Sequence, residues 1–317
     1  MIVVTGGAGF IGSNFVRALA ARGERELIVV DEFNDPVKIS NLAGVDIARQ
    51  LDKDAFIAPL RAGRGLSFRP EAIIHQGACS DTMELDEAFM MENNYAYSKT
   101  LFDYCLEEKI PFLYASSASV YGDGKVFRES PEFEKPLNVY ARSKHRFDQQ
   151  VRKRLPGAES QVVGFRYFNV YGPGESHKGR MASVAYHFNV QLEKNGKLRL
   201  FEGSDGFGNG EQRRDFVYVD DVVQVGLWFL DNPGKSGLFN VGTGRSQTFN
   251  DVARAVIAWH GRGRIEYIPF PAELIGRYQS FTEADIGALR RCGCPTEFIR
   301  VEEGVCAYLD ALQSKKS

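Results

Sequence analysis

The sequence predicts an α/β fold of the Rossmann type, a doubly wound parallel sheet with a smaller, interleaved C-terminal substrate domain. Short apolar runs alternate with amphipathic helical runs, which is the pattern of strand–helix–strand units. The polar clusters of the first half all follow the ends of predicted strands. Ligands bind at the carboxyl ends of strands in such sheets, so we expect these clusters to share one site.

The glycine-rich turn near the N-terminus is typical of a dinucleotide-binding site. Gly6, Gly9 and Gly12 follow a short apolar strand and lead into an amphipathic helical run. In that context Gly6 permits a tight turn, Gly9 lets backbone approach a pyrophosphate, and Gly12 lets the helix pack on the strand. The next apolar strand ends in Asp31, where an acidic side chain would bind the adenosine ribose.

The later helices and strands are predicted from the spacing of apolar residues along the chain. A helical tract at about 84–108 ends before Pro111, and another helix begins near Asn138. The order loosens after about Lys178, where a helix at 182–192 and a C-terminal helix at 301–312 are the clearest elements. Strands are predicted at Ile2–Val4, Leu27–Val30, Glu71–His75, Phe112–Ala115, Gln161–Phe168, Leu198–Phe201 and Phe239–Val241. We predict a dinucleotide-binding domain at 1–170 with about 215–241, and a smaller substrate-binding domain at 171–214 with about 242–317.

Composition excludes several classes of protein. The 317 residues are 44% hydrophobic with a net charge of −2, and no single-sign block suggests a nucleic-acid or membrane partner. No apolar run approaches a membrane span, and the chain starts directly in a strand, so neither a span nor a signal peptide is expected. The five scattered cysteines fit a reducing cytoplasm, and the five histidines form no metal-ligand pattern.

Three side chains are candidates for proton transfer. Tyr140 and Lys144 stand four residues apart on a predicted helix and would project from one face, while Ser117 lies at a strand end. A neighbouring ammonium and an oxidised nicotinamide would favour the Tyr140 phenolate. Tyr140 would then take a proton from a substrate hydroxyl, with Ser117 bonded to the reacting oxygen and Lys144 to the nicotinamide ribose.

These motifs together resemble a known family. The sequence is similar to the extended short-chain dehydrogenases/reductases, and best to their nucleotide-sugar epimerases and dehydratases, nearly end to end. The motifs are Thr5-Gly6-x-x-Gly9-x-x-Gly12, Ser117-Ala118-x-Val120-Tyr121-Gly122, Tyr140-x-x-x-Lys144 and Arg214-Asp215-Phe216-Val217-Tyr218-Val219-x-Asp221-Val222. Longer stretches resemble a branch of the epimerases that acts on an ADP-heptose, a precursor of lipopolysaccharide; among them are 134–140, 165–173, 177–179, 201–204 and 276–279.

The resemblance implies an NADP-dependent epimerase. A carbon outside the sugar ring, the 6-position, would be oxidised transiently and reduced again from its other face. Two acid/base groups are implied, Tyr140 and Lys178, and Lys144 would help to lower the pKa of Lys178. Without the resemblance, a phosphate-binding or merely solvated loop lysine is the favoured interpretation of Lys178, and the match at His177-Lys178-Gly179 reverses that preference.

The resemblance also assigns binding residues. The implied cofactor contacts are Gly6, Gly9, Phe10, Ile11, Gly12, Asp31, Glu32, Lys38, Lys53, Gln76, Gly77, Ala78, Cys79, Ser80, Asn93, Tyr140, Lys144, Val170 and Lys178. The implied substrate contacts are Ser117, Asn169, Arg180, His187, Phe201, Glu202, Gly203, Ser204, Arg214 and Tyr278. His187 also fits a residue that bonds a helix neighbour, and Tyr278 also fits the core.

Two features depart from the family pattern. The loop at 205–213 is longer and richer in glycine, which makes Arg213 an alternative to Arg214 as the diphosphate ligand. Arg180 stands in place of a small hydroxyl residue, where it would lower the pKa of Lys178 or bind substrate.

The choice of cofactor rests on opposing charges. Asp31 by itself favours NAD, because it would repel a 2′-phosphate. The family preference for NADP requires Lys38 and Lys53 to offset that charge, and we favour NADP over NAD on that basis.

Other functions remain open at this stage. A UDP-hexose 4-epimerase or a 4,6-dehydratase would use the same scaffold, although Ser117-Ala118-Ser119 lacks the acidic pair of a dehydratase. A non-catalytic dinucleotide sensor would be expected to lose Tyr140 or Lys144, and both are present. The resemblance further suggests a homo-oligomer, a pentamer.

Overall fold

A computed structural model describes residues 1–271 and 279–314 of the chain. Its strands are short, and those of the first half are continuous apolar runs. They are β1 Ile2–Thr5, β2 Leu27–Asp31, β3 Arg49–Asp52, β4 Ala72–His75, β5 Phe112–Ser117, β6 Val162–Tyr167, β7 Asn169–Tyr171, β8 Lys197–Phe201, β9 Arg213–Arg214, β10 Phe216–Tyr218, β11 Gly237–Val241, β12 Gln247–Thr248 and β13 Arg264–Ile268.

The helices alternate with the strands throughout the first half. A π-helix at Met91–Ala96 joins two α-helical pieces into one tract. The α-helices are α1 Phe10–Ala21, α2 Pro36–Ile39, α3 Lys53–Arg61, α4 Glu87–Met90, α5 Tyr97–Glu107, α6 Val139–Arg154, α7 Val184–Asn195, α8 Val219–Asp231, α9 Phe249–His260, α10 Gly287–Cys292 and α11 Val301–Ser314.

Seven strands form one parallel sheet in the order β11-β6-β5-β4-β1-β2-β3. The chain reverses its direction of winding between β1 and β4, which are hydrogen-bonded neighbours. This is the strand order of a doubly wound dinucleotide fold, whose ligand crevice opens at such a reversal. The predicted fold class is therefore confirmed.

The two faces of the sheet are covered by different helices. Val3 and Ile73 face a buried cluster that includes Phe102 of α5 and Phe147 of α6. The alternate residue Val4 faces the opposite cluster, with Phe15 of α1 and other apolar side chains of α1 and α8. This two-sided burial explains why the strands read as continuous apolar runs.

The later elements pack around a cluster of their own. Phe188 of α7, Leu198 of β8, Val256 of α9 and Tyr308 of α11 are all buried there, together with Tyr218 of β10. The domain boundaries given above remain a prediction.

Several elements differ from the sequence prediction. The tract at 84–108 is helical over 87–107, as expected, but it contains the π-helix, which period counting does not reveal. Strand β3 and helix α3 were not predicted, because the exposed run Arg49–Asp52 lacks apolar alternation. Asn169–Tyr171, which directly follows the predicted strand Gln161–Phe168, is itself a strand that pairs in parallel with β10.

Candidate active site

The glycine-rich turn follows β1, at the point where the chain reverses its direction of winding. It packs against the backbone that follows β4. A Cβ atom on Gly6 would lie 2.5 Å from the Gly77 nitrogen, and Gly6 has a φ of +64°. A Cβ on Gly12 would lie 2.1 Å from the Gly6 carbonyl oxygen. Only glycine fits at either position, as the fingerprint predicts.

The N-terminus of α1 faces the crevice with its amide groups uncapped by side chains. The N-cap residue is Gly9, which has no side chain to accept a hydrogen bond, and the first turn of α1 contains no acidic residue. Phe10 and Ile11 begin the helix. An uncapped N-terminus with its partial positive charge suits an anionic group, so this turn fits the pyrophosphate of a dinucleotide.

The residues assigned to the adenosine end are joined by two ion pairs. Asp31 is 5% exposed and accepts hydrogen bonds from the Ala8 and Glu32 amides at 2.8 and 2.7 Å. Lys38 donates to Asp31 at 2.5 Å, and Lys53 pairs with Glu32. Each of these two carboxylates therefore forms an ion pair with one lysine.

The loop after β4 is held by the π-helix. Asn94 accepts a hydrogen bond from the Cys79 amide at 2.8 Å and donates one to the Cys79 carbonyl at 2.9 Å. The preceding residue, Asn93, accepts a hydrogen bond from Lys53 at 3.0 Å. The π-helix therefore contacts both groups of predicted cofactor residues, Gln76–Ser80 on one side and Lys53 on the other.

Ser117, Tyr140 and Lys144 come together as predicted. Ser117 is the last residue of β5, and its hydroxyl interacts with that of Tyr140 in the first turn of α6. The Lys144 ammonium is buried and donates to the Ala115 carbonyl at 2.8 Å. Burial lowers the pKa of Lys144 to about 8, opposed by the Asp148 carboxylate.

The expected direction of the Tyr140 pKa is wrong for this structure. Burial raises the pKa of Tyr140, and only the Ser117 hydroxyl opposes that shift. Lys144 does not lower it because its ammonium is directed to the Ala115 carbonyl. The contribution expected from an oxidised nicotinamide remains a prediction.

Lys178 lies over the start of α1. Its Nζ is 5.4 Å from the centre of the Phe10 ring, and it belongs to a 3-10 helix at Ser176–Met181. Burial lowers the pKa of Lys178, and the Glu175 carboxylate opposes the shift. The lowering expected from Lys144 or Arg180 is wrong, because Lys144 bonds Ala115 and Arg180 pairs with Asp81 at 2.7 Å.

The residues assigned to the substrate nucleotide lie at the end of β8. Phe201 ends that strand and meets Phe270 with ring centres 5.5 Å apart, and Glu202–Ser204 follow directly. The glycine-rich loop behind them is ordered by its own contacts. The Gly203 amide donates to the Asn209 side chain at 2.9 Å, and Gln212 donates to Ser204 at 3.1 Å.

Both candidate diphosphate ligands make local contacts. The Arg213 guanidinium donates to the hydroxyl and the carbonyl of Ser246 at 3.0 and 2.5 Å. Arg214 is 7% exposed, donates to the Arg213 carbonyl at 3.0 Å and lies over the Phe249 ring at 5.7 Å. The choice of Arg214 over Arg213 stays a prediction.

The remaining substrate-side residues are placed as follows. Asn169 and Val170 lie on β7, where the Asn169 amide donates to the Asp215 carbonyl at 3.0 Å. His187 is half-buried on α7, with its Nε2 3.4 Å from the Arg180 carbonyl oxygen. Tyr278 lies outside the described residues.

Some residues that shape the site were missed by sequence reasoning. Asn14, Asn41, Asp81, Asn94 and Glu175 act through hydrogen bonds to backbone or to candidate side chains. Of these five, only Asn94 could have been suspected from the sequence, because it adjoins the predicted cofactor residue Asn93. The other four belong to no motif or regular spacing.

The described residues offer neither a metal-binding cluster nor a membrane-spanning helix. In the described part of the chain no three His, Cys, Asp or Glu side chains are grouped so as to hold a metal ion. Over the same residues no helix is both long and apolar enough to cross a bilayer.

The fold and the site define a Rossmann-type protein with a Tyr-x-x-x-Lys pair beside a dinucleotide cradle. Residues 2–242 match the NAD dependent epimerase/dehydratase family, and the chain belongs to that family.

Similar proteins confirm the more specific resemblance. The chain is 57% identical over 312 residues to an ADP-L-glycero-D-manno-heptose-6-epimerase from Alkalilimnicola ehrlichii, covering 98% of this chain and 97% of that protein. The crystal structure of the Helicobacter pylori ADP-L-glycero-D-manno-heptose-6-epimerase matches with a TM-score of 0.81 at 29% identity, covering 99% and 96% of the two chains. A UDP-glucose 4-epimerase from Thermus thermophilus, in complex with NAD, matches with a TM-score of 0.78 at 27% identity over 98% of each chain.

Proposed function

We propose that this chain is an epimerase that interconverts ADP-D-glycero-D-manno-heptose and ADP-L-glycero-D-manno-heptose. The observation that carries the proposal is the 57% identity, over 98% of the chain, to a heptose 6-epimerase. The grouping of Ser117, Tyr140 and Lys144 supports it, because that grouping supplies proton transfer next to a dinucleotide cradle.

Oxidation at the 6-position requires a group that takes the hydroxyl proton. A bound nicotinamide dinucleotide supplies the hydride acceptor and donor. Tyr140 takes the hydroxyl proton as the C6–H bond breaks, and Ser117 donates a hydrogen bond to the oxygen that becomes a ketone. Lys144, which donates to the Ala115 carbonyl, would bind the nicotinamide ribose.

Return of hydride from the opposite face places the oxygen elsewhere, and we assign its proton donor to Lys178. Lys178 lies at the start of α1 and not on α6, so it approaches the crevice from another side than Tyr140. Burial lowers its pKa, which favours the neutral amine relative to a solvated lysine. After one turnover Tyr140 holds the proton taken from the substrate hydroxyl, and Lys178 has given its own proton to the product oxygen. Tyr140 must therefore lose a proton and Lys178 regain one, by exchange with solvent, before the next turnover in that direction.

We propose NADP as the cofactor. Lys38 and Lys53 pair with Asp31 and Glu32, which supports the offset of negative charge that a 2′-phosphate needs. NAD remains the alternative, and measuring which dinucleotide the purified protein retains separates the two.

The remaining assignments rest on the same relationship. We propose that Arg214, Asn169, Arg180, His187 and the stretch Phe201–Ser204 bind the ADP-heptose. We also propose a cytoplasmic homo-oligomer, a pentamer, that supplies a heptose for the lipopolysaccharide inner core. Size-exclusion chromatography with light scattering tests the assembly.

The test of the reaction is proton NMR of the purified protein with ADP-D-glycero-D-manno-heptose, without added cofactor. We expect conversion to the 6-epimer, and a loss of about 10²–10⁴-fold in rate for Tyr140→Phe, with the dinucleotide still bound. Lys178→Met should be similarly impaired. Normal turnover by both variants would refute the two-base assignment.

A parallel sample contains UDP-glucose in place of the heptose. Turnover of UDP-glucose alone would replace the proposal with a hexose 4-epimerase on the same scaffold. No turnover of either sugar, although the dinucleotide is retained, would contradict the heptose assignment and favour a non-catalytic dinucleotide sensor.

A further inference from the structure

The segment that carries Lys178 is tied to the cofactor cradle by two asparagine side chains. We call residues 173–180 the strap. Asn14 of α1 donates from its Nδ2 to the Pro173 carbonyl at 2.8 Å, and Asn41 donates from its Nδ2 to the Gly174 carbonyl at 2.8 Å. Both bonds span more than 130 residues of sequence.

The same two amide groups also bond the glycine-rich turn. Asn41 donates to the Ala8 carbonyl at 3.1 Å, and Asn14 donates to the Phe10 carbonyl at 2.9 Å. Asn41 is 4% exposed, so its bonds are shielded from water. Each amide therefore bridges the cradle and the strap, and fixes one relative to the other.

The strap is shaped to receive these bonds. Gly174 has a φ of +98°, which favours glycine, and a Cβ there would lie 3.3 Å from the Ser13 hydroxyl and 3.6 Å from Asn41 Oδ1. The buried Glu175 accepts a hydrogen bond from the Ser183 hydroxyl at 2.7 Å, and its carbonyl accepts one from the Lys178 amide at 2.9 Å. The backbone from Pro173 to Lys178 is thus held along its length.

We propose that Asn14 and Asn41 are positioning residues that hold the Lys178 ammonium in register with the cofactor cradle. The inference rests on the proposed function, in which Lys178 is the second acid/base group. Tyr140 is held differently, by its place on α6, whose Lys144 donates to the Ala115 carbonyl of β5. Loosening the strap should therefore impair the step served by Lys178 and leave the Tyr140 geometry intact.

The experiment is a double-mutant cycle on the holoenzyme. Asn14→Ala/Asn41→Ala should lower kcat for ADP-heptose epimerisation by about 10–100-fold, since a displacement of about 1 Å in a catalytic group has that effect. KM and the retained dinucleotide should change little. In a Lys178→Met background the same two substitutions should cost no further activity. Full additivity with Lys178→Met would overturn the proposal, because it would mean a general structural role.

Ser40→Ala is the matched control. The Ser40 hydroxyl donates to the Val37 carbonyl beside Asn41 but does not reach the strap, so this variant should retain wild-type kcat. Asn41→Gln, which keeps the amide donor, should recover part of the activity lost by Asn41→Ala.

A second readout does not depend on turnover. Acetylation of Lys178 by acetic anhydride, followed by peptide mass spectrometry, should rise several-fold in Asn14→Ala/Asn41→Ala, while acetylation of the exposed Lys125 stays constant. Unchanged Lys178 labelling would overturn the proposal that Asn14 and Asn41 hold the strap in place. If the wild-type protein fails to epimerise ADP-heptose while Lys178 labelling still rises in the double variant, the proposed function fails but the positioning role of Asn14 and Asn41 is supported.

Discussion

The cofactor side and the substrate side of the crevice are built by different means. On the cofactor side, candidate residues follow the ends of β1, β2, β4 and β5, which are neighbours or near neighbours in one parallel sheet. On the substrate side, Phe201 and Arg214 come from separate two-stranded sheets joined by loops. A sheet determines where its strand ends lie, whereas a loop requires its own bonds to hold a shape.

The two sides also differ in how charge is buried. Behind the cofactor side, the fully buried Arg166 donates to Asp148 at 2.9 Å and to Glu134 at 2.5 Å. Asp148 lies one helical turn after Lys144, and it also accepts hydrogen bonds from Tyr114 and Ser116 at 2.9 and 2.8 Å. On the substrate side, the loop at 203–212 is mostly exposed and is held by individual hydrogen bonds that involve the side chains of Asn209 and Gln212. The difference predicts unequal responses to mutation.

The largest effect should follow from removing the buried guanidinium. Arg166→Leu leaves Asp148 buried without its cation, which should lower the free energy of unfolding by about 3–5 kcal/mol in urea titrations. Arg22→Leu, which removes an exposed pair with Asp231, should cost about 1 kcal/mol or less. Equal costs for the two variants would contradict the contrast between the regions.

An intermediate effect should follow from the buried histidine of the cofactor side. Burial lowers the pKa of His75 to about 3, against 6.5 for a free side chain. Between these values the unfolded chain binds the proton and the folded chain does not, so stability falls as pH falls below about 6.5. When the pH falls from about 7.5 to about 5, we expect the free energy of unfolding of the wild type to decrease by about 2 kcal/mol more than that of His75→Gln.

The control for that titration is Asn209→Ala on the substrate side, which removes no titratable group. It should keep the wild-type dependence of unfolding free energy on pH. The same acid loss in His75→Gln as in the wild type would show that other groups cause it.

The smallest effect should come from the substrate-side loop. Asn209→Ala removes the bond to the Gly203 amide, and a net hydrogen bond of about 0.5–1.5 kcal/mol corresponds to a rise in the KM for ADP-heptose of about two- to tenfold. Unfolding in urea should change little. Gln191→Ala removes a comparable bond to the Arg199 amide, away from residues 201–204, and should leave KM unchanged. A rise in KM for both variants would indicate a global effect.

The same contrast explains what could be predicted from the sequence. Glycine spacing, strand ends and the Tyr140–Lys144 interval are local patterns, and the sheet then brings Asp31, Gln76 and Ser117 to one edge. Those residues were placed correctly without coordinates. The tethers from Asn14 and Asn41 were not predicted, because a side-chain amide that bonds a distant carbonyl leaves no period in the sequence.

Electrostatics was the least predictable property. Counting nearby charges suggested that Lys144 lowers the pKa of Tyr140 and also that of Lys178. In the structure burial dominates for both, and the Lys144 ammonium is directed to the Ala115 carbonyl. The direction in which a long side chain points, and the water excluded around it, depend on packing that spacing does not describe.

The π-helix at Met91–Ala96 links two groups of predicted cofactor residues. Its neighbouring asparagines contact different partners, since Asn93 accepts a hydrogen bond from Lys53 and Asn94 accepts one from the Cys79 amide. Because both contacts come from adjacent residues of one helix, a distortion of that helix would disturb both groups at once.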